Sequence, residues 1–99
     1  MRFPVFDLHC DTALALLGEE FDSIVSLRKN EFHVDLERAG RLSGYCQCFA
    51  CFTSPEQRKP GHLSDVGLFE REMVAILRET EQNSDLISLA YSPKEVEEN

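Results

Sequence analysis

Apolar and polar residues alternate or recur along this chain with two distinct periods, and the switch between them predicts where strands end and helices begin. The opening stretch Pro4 to Thr12, PVFDLHCDT, carries Val5, Phe6 and Leu8 among Asp7, His9 and Asp11. Polar groups at every second position suit a strand that points them to one face. The run TALALLGEE follows, rich in helix formers and interrupted by Gly18, so a short helix over 12–17 is expected. From Glu19 to Phe32 the only apolar anchors are Phe21, Ile24, Val25 and Leu27, which reads as a loop with one helical turn. Asp35 then stands where it can cap a second short helix ending near Gly40.

The stretch Gly44 to Thr53, GYCQCFACFT, is nearly continuous in apolar and aromatic residues, as in a parallel strand covered on both faces. Alternation places Cys46, Cys48, Ala50 and Phe52 on one face and Tyr45, Gln47, Phe49 and Cys51 on the other. A buried Gln47 requires hydrogen-bond partners. Thr53 to Ser64 holds two prolines and a glycine and reads as a long loop, with Arg58, Lys59 and His62 as candidate contacts for a substrate carboxylate. From Asp65 to Asn83, Val66, Phe69, Met73, Ile76 and Leu77 recur at helical spacing, capped by Ser64 or Asp65. Glu70, Arg71, Glu72, Arg78, Glu79 and Glu81 would form the solvated face of that helix. Asp85 to Ser92 reads as a short strand or extended stretch, and SPKE after it as a capping box opening a last helix, which the chain leaves after about two turns. Strands alternating with helices predict the α/β class with a parallel sheet.

Charge and composition narrow the partners. Ten basic against eighteen acidic residues give a net charge of −8, which disfavours a phosphate-backbone partner, so no nucleic acid is expected. The eight acidic and three basic residues from Glu70 to Asn99 read as helix exteriors. No basic and apolar leader precedes Pro4, and no apolar run approaches the about 18 residues of a membrane span, so the expected address is cytoplasmic, with no membrane contact. In that compartment the four cysteines are expected to stay as free thiols.

The chemistry concentrates at the end of the first strand. His9 and Asp11 would have Cα atoms roughly 6.6 Å apart at about 3.3 Å per residue, close enough to hold one cation. An imidazole nitrogen and a carboxylate oxygen are both zinc donors. The competing assignment makes Asp11 a helix cap and His9 a hydrogen-bonded core residue. His33 has no companion at metal-ligand spacing and reads as a surface or packing residue. Cys46, Cys48 and Cys51 form a C-x-C-x-x-C array, but strand geometry turns Cys51 away from the other two, which favours small core thiols over a soft-metal knuckle.

The start MRFPVFDLHCDT, with the triplet at the end of a strand that opens almost at Met1, resembles the first barrel strand of the renal (membrane) dipeptidase family, zinc metallopeptidases of the amidohydrolase superfamily. The likeness runs on through Asn30 to Phe52 and, more loosely, through LISLAYSPKEVEEN; its specific residues are Asp7, His9, Asp11 and Thr12. The resemblance implies the N-terminal portion of a TIM-type (β/α)8 barrel, incomplete here because such a barrel needs about 200 residues or more. It further implies dipeptide hydrolysis by the full-length protein at two zinc ions. His9 and Asp11 would bind one of them, Asp7 would orient His9 from behind, and a bridging glutamate and two histidines would come from later strands. No catalytic residue falls within these 99 residues, so this piece alone is expected to be inactive, poorly stable, and to leave surface such as Phe49 and Phe52 in water. The whole protein could form a homo-oligomer. Another metal-dependent amidohydrolase, or a non-catalytic metal-binding module built on the cysteines, are the alternatives.

Overall fold

The computed structural model describes residues 3–18, 25–53 and 64–99. Its elements run β1 (Pro4–Cys10), α1 (Thr12–Ala15), α2 (Leu36–Ala39), β2 (Gly44–Phe49), α3 (Asp65–Gln82) and α4 (Pro93–Glu98). The two strands lie parallel, and α1 and α2 fall within the crossover between them. Among the described residues each strand has one neighbour, so each keeps an open edge.

The register starts evenly, with Pro4 beside Gly44, Val5 beside Tyr45, Phe6 beside Cys46 and Asp7 beside Gln47. It then slips: the next pair is Cys10 with Phe49, three residues further on β1 against two on β2. One extra residue is therefore accommodated between Asp7 and Cys10, a β-bulge. The bulge breaks the strict alternation expected over Asp7, His9 and Asp11, because Asp7 and Cys10 now lie on the same side, beside Gln47 and Phe49. That side meets the core. Tyr45 and Gln47 share it, the Tyr45 hydroxyl donating to Gln47 Oε1 and Gln47 Nε2 donating to the Asp7 carbonyl at 3.4 Å and the Cys48 carbonyl at 3.1 Å. Gln47 thus finds the partners its position demands. Burial first, and then Cys10, Asp7 and Cys46, push the Tyr45 hydroxyl up to about 12, so it stays a donor.

Ala13, Leu16, Leu27, Leu36 and Ile76 form the main core, with Phe49, Cys51 and Ile87 packed on it; Leu17, Leu68 and Ala75 form a second cluster with Leu14. Phe49, expected in water, is a core contact instead. The other side of the sheet is open: Phe6 is 58% and Leu8 75% exposed, and Cys48 is exposed as well. Cys46 and Cys51 are both half-buried, and of the two Cys51 packs on the main core, while Cys10 is buried.

Helix ends follow the side chains that can cap them. Asp35 Oδ1 accepts from the Arg38 amide at 2.8 Å, Ser64 Oγ from the Gly67 amide at 3.1 Å and Ser92 Oγ from the Glu95 amide at 3.2 Å. Glu95 reaches back to the Tyr91 amide at 2.6 Å, one residue before the amide a capping box engages. The first helix stops at Ala15, because Leu17 and Gly18 bond carbonyls three residues back in a tightening turn. Gly18 leaves that turn at φ 76°, a conformation open to glycine.

Two further expectations differ from the structure. Residues 85–92 hold no strand; Leu86 and Ile87 donate to the Asn83 carbonyl in a turn, and Arg28 clamps Asp85 through bonds of 3.1 and 2.9 Å. On α3 the buried side is Leu68, Glu72, Ala75, Ile76, Glu79 and Thr80, whereas Val66, Phe69, Met73 and Leu77 are exposed. The helix carries apolar residues on two sides, and the periodicity of the larger ones picked the outer stripe.

Candidate metal centre

The bulge decides where the pair at the end of β1 points. Cys10 is turned into the core, so His9 and Asp11, on either side of it, project the opposite way, toward the open side of the sheet. His9 Nε2 and Asp11 Oδ1 stand 2.7 Å apart, with side chains 68% and 64% exposed. Asp11 occupies the N-cap position of α1 but makes no side-chain cap bond. His9 is no core residue either. The two assignments that would occupy these groups elsewhere therefore do not describe them.

Asp7 Oδ1 accepts from the His9 backbone amide at 3.2 Å. It fixes the backbone that carries the imidazole, and its carboxylate is bonded to that amide instead of the ring. The Cys10 carbonyl accepts from the Ala50 amide at 3.0 Å, which ties the C-terminal ends of both strands at one level.

A zinc ion would suit this donor set. At ligand distances of about 2.0–2.2 Å and a tetrahedral angle, the imidazole and carboxylate donors would sit about 3.4 Å apart. The observed pair needs to open by less than about 1 Å, and both side chains have free surface in which to do so. Among the described residues no third His, Cys, Asp or Glu joins them. His33 is exposed and belongs to no such group, and Cys46, Cys48 and Cys51 do not gather into one. Arg58, Lys59 and His62 lie outside the described residues.

Glu72 was assigned to the solvated face by its sequence, yet it is fully buried and neither carboxylate oxygen has a hydrogen-bond partner. It lies against the stretch that follows β2, where it helps hold the Cys51 thiol above its ordinary range after burial itself. Burial pushes the Glu72 carboxyl up to about 7; the Phe52 amide is near enough to draw it partly back without completing a bond. The available signal was its spacing, four residues from Leu68 and three and four from Ala75 and Ile76. Among the described residues, no helix is long and apolar enough to cross a membrane. No family model, curated protein or solved structure matches the chain.

Proposed function

We propose that this chain is the N-terminal portion of a TIM-type barrel in a zinc-dependent dipeptidase, with His9 and Asp11 holding one zinc ion. The observation that carries the reading is the pair itself: an imidazole nitrogen and a carboxylate oxygen 2.7 Å apart, accessible, at the C-terminal end of a parallel strand. Ligands in α/β barrels sit at that end of the strands.

The rest of the molecule is consistent with a barrel segment. Parallel sheets are covered on both faces, while this one covers one face and leaves Phe6 and Leu8 in water on the other. Further β/α units of the same barrel would cover the open face, both strand edges and the outer stripe of α3.

Within that frame, bound zinc supplies Lewis-acid polarisation of the scissile carbonyl and a lowered pKa for water. The chain's own contribution is to present the donors. Asp7 holds the His9 amide, the bulge turns the imidazole outward, and the Cys10–Ala50 bond fixes the strand end beneath it. The remaining ligands and the general base would come from later strands, so the cytoplasmic full-length enzyme, not these 99 residues, would cleave dipeptides.

Zinc content and dipeptide hydrolysis of the full-length protein test this. His9→Ala and Asp11→Ala should each lower zinc affinity and turnover by roughly a hundredfold or more, exceeding the effect of losing an outer-shell partner. Serine at Cys46, Cys48 and Cys51 should change zinc binding little. Full zinc occupancy in both His9→Ala and Asp11→Ala, or hydrolysis of cyclic amides in place of dipeptides, would refute the reading.

A further inference from the structure

Glu72 is the described residue whose buried polar atoms go without a partner. It stands on the inner side of an 18-residue helix, fully removed from water. The neighbours of that side are apolar: Leu14, Leu17 and Leu68 pack with Ala75, and Leu16 and Leu27 with Ile76. From the stretch that follows β2 the titratable group that faces it is the Cys51 thiol. The segment Thr12 to Gly18 brings no ionisable side chain. Glu79, one step of the same face further along, is committed to the Leu27 amide at 2.6 Å, and Arg28 to Asn83 and Asp85.

A carboxylate in such a place has no counter-charge and no completed hydrogen bond, the Phe52 amide drawing it back only in part, so its charged form is ill suited to the seat it occupies. We propose that Glu72 is a proton-operated latch: as the neutral acid it allows α3 to sit against the stretch around Cys51 and Phe52 that follows β2, and as the carboxylate it drives that contact open, releasing its proton to solvent. The latch needs no metal and stands apart from the dipeptidase reading. The sign follows from linkage. Folding raises this carboxyl from its ordinary 4.5 to about 7, so the folded chain binds more protons between those values. Stability therefore falls as pH rises through that window and levels off above it.

The experiment compares the wild-type chain with Glu72→Gln, which stays neutral, from pH 5 to pH 8. Amide hydrogen exchange along α3, corrected for intrinsic rates, and alkylation of Cys51 resolved by peptide mass spectrometry, corrected for its thiolate fraction, are the readouts. Between those limits the opening equilibrium should rise by at least about tenfold, and up to about 70-fold, in the wild type relative to Glu72→Gln. Cys51 labelling should rise with it. Parallel profiles in the two proteins overturn the latch, as does an unprotected α3 in the wild type at pH 5. Should Glu72→Gln not fold, Glu72→Met supplies the pH-independent reference, and the same two outcomes apply.

Discussion

Asp35 and Glu72 are both shut away from water, and they meet opposite treatment. Around Asp35 the chain supplies donors: the Arg38 amide at 2.8 Å, the Asn30 amide at 3.1 Å and the Arg38 guanidinium at 3.0 Å all converge on its carboxylate. Asn30 is itself bonded to the Ser26 and Val34 carbonyls and to the Phe32 amide, and Arg38 to the Phe32 carbonyl, so the segment closes on itself. Burial pulls the Asp35 carboxyl upward, but these donors outweigh it and hold the group below its ordinary range. Around Glu72 burial acts almost alone, and the group moves up to about 7. Depth does not set the charge of a buried acid; the donors aimed at it do.

The contrast can be broken from either side. The largest effect is expected at Asp35→Ala, which strands two amides and a guanidinium at once. A loss of about 2–4 kcal/mol in a denaturant titration would fit a buried, multiply bonded carboxylate. A loss below about 1 kcal/mol would reduce Asp35 to an ordinary helix cap. Its stabilisation should be present above pH 3.8 and disappear as pH falls through its lowered folded value, the reverse of the Glu72 dependence. Glu72→Met should work in the other direction. At pH 8 it should stabilise the chain by roughly 1–3 kcal/mol, with a smaller gain at pH 5, because an apolar side chain of similar size replaces an unpartnered acid. An unchanged melting temperature at both values would mean that donors do reach Glu72. The smallest change sharpens the scale: Ser64→Ala removes one exposed cap bond to Gly67 and should cost about 1 kcal/mol.

Local chemistry was legible in the sequence. Ser64, Ser92 and Asp35 cap the helices that their positions announced, since a cap depends on residues within one turn of it. Both principal strands also stand where hydrophobic pattern placed them, although β2 ends at Phe49 and the stretch beyond it adds only the Ala50 amide's bond to the Cys10 carbonyl among the described residues. Choices that depend on distant parts of the chain were not legible. Two apolar stripes run along α3, and only the packing of Leu14, Leu17 and Leu27 determines that Leu68, Ala75 and Ile76 lie inward and Phe69, Met73 and Leu77 outward. Glu72 and Glu79 go inward with that choice; one of them finds the Leu27 amide and the other nothing. At the candidate centre, His9 and Asp11 could be named from their spacing. The direction in which they project depends on a pairing slip between β1 and β2 that no single strand encodes.

That slip makes the orientation of the pair a matter of counting. Carried past Asp7 without the slip, the ladder would set His9 beside Phe49 and, with no change to either donor, swing the imidazole and its acid through half a turn toward the helices; removing Leu8 would instead leave Cys10 beside Phe49 and both donors on the open side. One slip of register is thus an inexpensive way for a strand to choose which of its two sides does chemistry, and a β1 paired evenly to its end would keep every ligand yet lose the address at which they meet.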